Sequence, residues 1–238
     1  MRHLLLVPAA ICLATGLAAA QPAPTGAVRG TVSFKGTPPA RTKLVRDTDP
    51  VCAKVDKLSE DVIVDAGKVR DVLVRVSNGG AGTHAAPATP ATLVQTECMY
   101  TPRVVGVMVG QKLVVKNGDP TYHNVRSTLA QKPWFNLAQP AAAPDIVRDL
   151  TAKAGDVVEL QCDVHPWMHA YLPVSDHPFF AVTGAGGRFE LTGLPPGRYT
   201  VEAWHPVLGT QRKKVKVSKG KAAKLDFVFA AAATPTTK

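Results

Sequence analysis

Seven consecutive residues of this chain carry three atoms that bind soft or borderline metal ions. The run Cys162-Asp163-Val164-His165-Pro166-Trp167-Met168 offers a thiolate, an imidazole and a thioether. A second imidazole lies upstream, His123, in Asp119-Pro120-Thr121-Tyr122-His123-Asn124-Val125. Two histidines, one thiolate and one weak thioether are the ligand set of a blue-copper, one-electron centre. His169 directly follows Met168 and leaves a second option open. It could replace Met168, or join Cys162, His165 and His123 in a tetrahedral zinc site.

These residues need elements that aim them inward. In a strand ending at Cys162, Val158, Leu160 and Cys162 share one face, and Glu159 and Gln161 take the other. In Tyr122 to Arg126, His123 and Val125 share a face, opposite Asn124 and Arg126. Both potential ligands therefore point to a core. A tight loop after Cys162, stiffened by Pro166, can return His165 and Met168 to the same place. Such stiffness suits a site that must change oxidation state with little rearrangement.

Cysteine usage agrees. Arg2 and His3 precede an apolar stretch, Leu4 to Ala20, that ends in small residues and reads as a secretory signal peptide cleaved near Ala20. Export, to a periplasm in the first instance, leaves Cys52, Cys98 and Cys162 of the four cysteines. An oxidising compartment pairs two and leaves one, and a metal is the simplest occupant of the odd thiol. Cys52 and Cys98 are then the expected disulfide.

The region 98–175 resembles a cupredoxin, and its ligand loop is most similar to that of amicyanin. The short Cys162-to-Met168 spacing, Pro166 after His165, the aromatic Trp167 before Met168 and the triplet His123-Asn124-Val125 carry the resemblance. It implies a Greek-key β-sandwich with one type 1 copper held by His123, Cys162, His165 and Met168. It also implies that Asn124 ties the two ligand segments together. Family members commonly place Ser or Thr where this chain has Asp163, so the hydrogen bonds around the sulfur are expected to differ. Outside that region, the segments from Gly26 to Gly36 and from Gly187 to Tyr199 resemble the opening strand and closing hairpin of carboxypeptidase regulatory-like (transthyretin-like) modules. In those families the module is a non-catalytic β-sandwich.

The composition fits an all-β chain. Of 238 residues, 45% are apolar and 6% aromatic, and 20 Pro and 19 Gly punctuate short valine-rich runs. A helical bundle or a multi-span membrane protein is excluded, and no run after residue 20 is long enough to span a bilayer. The expected organisation is a signal peptide at 1–20, the first part of a regulatory-like sandwich at 26–80, and a copper domain at 91–176. The closing part of the second sandwich follows at 178–230, with a frayed tail at 231–238. Strands are expected at 104–109 and 112–116, joined by a hairpin turn at Gly110-Gln111. Residues 131–145 read as a Pro/Ala-rich excursion.

Seven basic residues lie between Arg212 and Lys224, and the chain carries a formal +10. Lysines flanking Val215 and Val217 read as an edge strand protected from aggregation, and no nucleic-acid platform accompanies them. Pro120, Tyr122, Pro166 and Trp167 are expected to surround the metal end as an apolar docking patch, with the His165 edge as electron port. No nucleophile elbow, phosphate loop or paired carboxylates appear, so no enzyme is expected. The function expected is one-electron transfer with a redox partner protein. A copper carrier, buffer or sensor, and a structural sandwich, remain the alternatives, and the sequence leaves the oligomeric state open.

Overall fold

A computed structural model describes residues 25–79 and 84–231. The expected signal peptide and nearly all of the expected tail lie outside them. The described residues form strands and one short 3-10 turn, Cys52–Lys54. None of their helices is long and apolar enough to cross a membrane.

The strands build two sandwiches, each around its own apolar cluster. In the first, a five-stranded sheet runs in the order Lys132–Gln139, His123–Leu129, Val157–Gln161, His169–Ser175, Val107–Met108. It faces a four-stranded sheet ordered Ile146–Asp149, Lys112–Asn117, Ala91–Thr96, Met99–Thr101. Period-2 alternation decides what meets between them. Leu93, Leu113 and Val115 from one sheet and Val125, Val158, Leu160 and Leu172 from the other belong to one buried cluster.

The second sandwich is assembled from both ends of the chain. Strand Gly26–Lys35 pairs with Arg188–Leu194 and, in parallel, with Ala222–Lys224 and Phe227–Ala230. The opposing sheet is ordered Phe180–Val182, Leu73–Asn78, Gly197–His205, Gly209–Val217. Val28, Val32, Phe189 and Leu191 share a second cluster with Val74, Val76, Val201 and Ala203. Strand Gly209–Val217 is an edge, and Lys213, Lys214 and Lys216 on it are exposed. Arg75 links the two units, held by an ion pair inside the second sandwich and bonded to the first. Glu202 accepts from Arg75 Nε at 3.0 Å and pairs with Arg212 at 2.5 Å, while Arg75 donates to the Val174 carbonyl at 2.8 Å.

Two local expectations are corrected. Residues 104–109 and 112–116 do not form a hairpin. Val107–Met108 runs parallel to His169–Ser175, and Lys112–Asn117 lies in the other sheet, parallel to Ala91–Thr96. The turn at Gly110 is real, with φ +77°, but it carries the chain from one sheet to the other. The expected excursion at 131–145 contains a full strand, Lys132–Gln139, antiparallel to His123–Leu129. Its Pro133 sits beside a bulge on an edge strand, where a missing N–H costs no ladder bond.

His205, at the end of its strand, is 1% exposed. Its Nδ1 accepts the Val207 and Leu208 amides, both at 3.1 Å, which fixes a neutral ring. Burial, reinforced by the Arg103 charge, lowers its pKa to about 4. The unfolded ring titrates near 6.5, so the stability tied to the neutral form is present above that pH. It is lost as the pH falls toward 4, by about 3 kcal/mol. Urea unfolding at pH 7 and pH 4 should show this loss, and His205→Asn should lose correspondingly less.

Candidate metal centre

Three ligand-type side chains converge where the first sandwich closes at one end. His123 opens strand His123–Leu129 and points to the core with Val125 and Ser127, all fully buried. Cys162 follows strand Val157–Gln161, whose Val158 and Leu160 are buried, so parity carries the thiol inward as the sequence pattern requires. The chain then turns back within residues 162–168 and enters His169–Ser175, where Gln161 pairs with His169. Two backbone bonds tighten this loop. The Met168 amide donates to the His165 carbonyl at 2.9 Å, and the Cys162 amide to the Met168 carbonyl at 3.3 Å.

The geometry is compact. His123 Nδ1 and His165 Nδ1 are 2.9 Å apart, and Cys162 Sγ lies 3.9 Å from the first and 3.7 Å from the second. An ion at the centre of a trigonal plane, with bonds of about 2.0 Å to nitrogen and 2.3 Å to sulfur, separates its ligands by about 3.5 Å (N···N) and 3.7 Å (N···S). The sulfur is already at that spacing. The two imidazoles must part by about half an ångström, within reach of side-chain rotation. Met168 is fully buried in the same cluster as Cys162. His169 is half-buried and instead lines a groove with Glu60, Asp61, Arg103 and Trp167.

The charges also favour a cation. Burial opposes a charge on His123, but Asp119 and the Cys162 sulfur outweigh it and raise its pKa to about 9. Burial opposes the Cys162 thiolate too, yet His123 and the amides of Asn124, His165 and Val164 lower its pKa. Burial and the neighbouring His123 charge lower that of His165. His123 is then the donor from both nitrogens, to Asp119 Oδ2 at 3.0 Å and to His165 Nδ1. A proton thus sits beside the Cys162 sulfur and between two imidazoles, the position a metal ion takes when ligands give up protons to bind it.

Asn124 joins the two ligand segments. Its Oδ1 accepts the Asp163 amide at 2.7 Å and the Cys162 thiol at 3.4 Å. Its Nδ2 donates to Asn136 and to Asp163, both at 2.8 Å. The Asp163 carboxylate turns outward, accepting also from Asn136 Nδ2 at 3.0 Å and Arg126 Nε at 2.5 Å. Although Asp163 replaces the expected Ser or Thr, the sulfur is met by the Asn124 side chain and by the backbone amides of Asn124, Val164 and His165.

Cys52 and Cys98 form the disulfide, with Cα atoms 5.6 Å apart, and Cys162 is the remaining described cysteine, free and buried. Cys98 sits at a two-residue hairpin turn with Glu97, both at φ +52°. Neither residue favours that conformation, which ordinarily selects Asn or Gly. Anchors outside the turn hold it. The Cys98 amide donates to Asp119 at 2.9 Å, Trp167 Nε1 donates to the Cys98 carbonyl at 2.9 Å, and Arg46 donates to the Glu97 carbonyl. Of the expected docking residues, Pro120, Tyr122 and Pro166 are exposed and Trp167 is half-buried. The His165 edge is not at the surface. It is 2% exposed, and Asp49 Oδ2 lies 3.1 Å from its Nε2.

Sequence reasoning overlooked both carboxylates behind the imidazoles. Asp119 was within reach, four residues before His123. Asp49 carries no local signal, since 116 residues separate it from His165. Two further acid–Cys–His groupings, Asp49–Cys52–His165 and Cys98–Asp119–His123, contain disulfide sulfurs, which carry no thiolate charge.

Fold and site together define an all-β protein of two sandwiches with a buried His–Cys–His cluster at one end of the first. Residues 173–230 match the family model of the carboxypeptidase regulatory-like domain. This span includes the Gly187–Tyr199 hairpin. No curated protein matches the chain in sequence. Similar solved structures include a purple cupredoxin from Nitrosopumilus maritimus, at 22% identity and TM-score 0.31, covering 36% of this chain and 99% of that one. Amicyanin from Paracoccus versutus is similar at 18% identity and TM-score 0.32, covering 43% and 97%. A copper-containing nitrite reductase from Thermus scotoductus is similar at 19% identity and TM-score 0.30; the match covers 42% of this chain and only 27% of the reductase.

Asn124→Ala should leave the Asp163 amide without its acceptor and remove the side-chain contact at the Cys162 sulfur. Stability should fall by about 2 kcal/mol, read by urea unfolding. Affinity for Co(II), whose thiolate absorption reports binding, should fall about tenfold or more.

Proposed function

We propose that this chain is an exported type 1 copper protein that carries single electrons and is not an enzyme. One observation carries the reading: the buried Nδ1, Nδ1 and Sγ atoms of His123, His165 and Cys162, all within 4.8 Å of one another. This is the donor set of a His₂Cys trigonal copper site. The order His…Cys-x2-His-x2-Met in an amicyanin-like loop supports it, and the buried Met168 would supply a weak thioether ligand. Bound there, copper supplies a one-electron couple, and the thiolate supplies its visible colour.

The residues of the chain do the rest. The apolar cluster around Leu93, Leu160 and Met168 excludes water. The loop bonds and Asn124 hold the ligands in place, so that little has to move when charge changes. The burial of His123, Cys162 and His165 favours an electron carrier over a copper carrier, whose ion must leave readily. The partner is another redox protein, and the exposed Pro120, Tyr122 and Pro166 lie on the surface it would meet.

The purified mature chain with Cu(II) should show an intense absorption near about 600 nm. Ascorbate should bleach it and an oxidant restore it. Cys162→Ser should abolish the band. A colourless protein that still binds one metal would favour zinc, and no binding would sink the copper reading.

A further inference from the structure

The segment 42–59 forms a strap over the metal centre. Its two legs pair with each other: the Leu44 amide donates to the Lys57 carbonyl at 2.9 Å, the Ser59 amide to the Thr42 carbonyl at 2.8 Å, and Lys43 bridges to Leu58. Its tip is fixed to the first sandwich at three places. Cys52 is bonded to Cys98. The nearly buried Arg46 donates to the Val55 carbonyl at 2.7 Å and to the Glu97 carbonyl, and its guanidinium lies 5.7 Å from the Trp167 ring centre. Thr121, two residues before His123, donates to Asp49 Oδ2 at 2.7 Å.

The two oxygens of Asp49 have different tasks. Oδ1 accepts the amides of Val51 and Cys52, at 2.7 and 3.1 Å, and so caps the short turn at the strap's tip. Oδ2 reaches His165 Nε2 at 3.1 Å. A carboxylate behind an imidazole fixes its tautomer: Nε2 keeps the hydrogen, and the Nδ1 lone pair is aimed at the ion. Cys52 Sγ lies 3.5 Å from the same Nε2, so disulfide and carboxylate together cover the edge of the ring.

Resting on the copper reading above, we propose that Asp49 is a positioning residue for His165, and that the strap, latched by Cys52–Cys98, closes the centre on that side. Asp49 orients the ligand, adds negative charge that favours the more oxidised ion, and keeps the ring from swinging out to release it. Electrons then cross the cover formed by Asp49 and the disulfide rather than a bare imidazole edge.

Asp49→Asn separates orientation from capping. The asparagine oxygen can still accept the Val51 and Cys52 amides, so the metal-free chain should still unfold in one cooperative transition, at a modestly lower temperature for the lost charge beside His165. Its amide hydrogens, facing His165, favour the tautomer that places the hydrogen on Nδ1 and opposes metal binding. Two readings are made on the copper-loaded protein. Loss of Cu(I) to excess chelator after ascorbate reduction should be at least about tenfold faster in Asp49→Asn. Equilibrium with a redox mediator of known potential should move about tenfold toward the reduced protein, a rise of about 59 mV for one electron. A third reading uses the metal-free chain. Carbethoxylation of His165, mapped by peptide mass spectrometry, should be slow in the wild type and faster in Cys52→Ala/Cys98→Ala. Copper-loaded Asp49→Asn with wild-type release and mediator equilibrium would overturn the role of Asp49. Equal carbethoxylation in the latch variant would overturn closure by the strap. A wild-type chain that binds no copper would overturn the reading beneath both.

Discussion

Two imidazoles meet nitrogen to nitrogen inside an apolar core, and the rest of the site follows from making that arrangement tolerable. Each ring has two polar atoms, and a buried polar atom without a partner is costly. The chain meets the requirement by facing both Nδ1 atoms to each other and to the Cys162 sulfur, and by placing a carboxylate behind each Nε2. Asp119 does this from the segment that leads into His123, and Asp49 from a strap on the far side. Three potential anions around two imidazoles create a demand for positive charge. A proton on His123 answers it, and a metal ion at the same place would answer it too.

That demand explains why so much polar structure accumulates at one end of an otherwise apolar sandwich. The Glu97-Cys98 turn adopts a conformation its residues disfavour because Asp119, Trp167, Arg46 and the disulfide all engage it. Asn124 is buried on the face of its strand opposite His123 because Asp163 and Asn136 fold over it. These contacts link the upstream histidine segment, the 162–168 loop and the strap into one body. The second sandwich takes no part in the metal cluster. Arg75, paired with Glu202 in its own sheet, reaches the Val174 carbonyl of the first, and Tyr171 meets Trp204 edge-on across the same junction.

Part of this was legible in the sequence, for physical reasons that can be named. The inward aim of Cys162 and His123 follows from strand parity, and the alternation of Val158 and Leu160 displays it. The disulfide follows from counting thiols on the expectation of export, which pairs two of Cys52, Cys98 and Cys162 and reserves Cys162 for the candidate centre. The strand Lys132–Gln139 was hidden because an edge strand tolerates Pro133 and needs only one paired side. The supposed hairpin at Gly110 failed because a turn residue reports a local change of direction and not the partner sheet. Strands 107–108 and 112–117 leave that turn for opposite layers.

The sequence by itself determined the types and order of the candidate ligands and the strand face that carries His123 and Cys162, since these depend on near neighbours and on a period of two. Only the tertiary structure decided what stands behind the ligands. Asp49 meets His165 because a disulfide and a buried arginine fold the strap across the end of the sandwich. Sequence spacing says nothing about a contact made across 116 residues. The electrostatics of the centre, and the burial of its His165 side, are therefore properties of the fold.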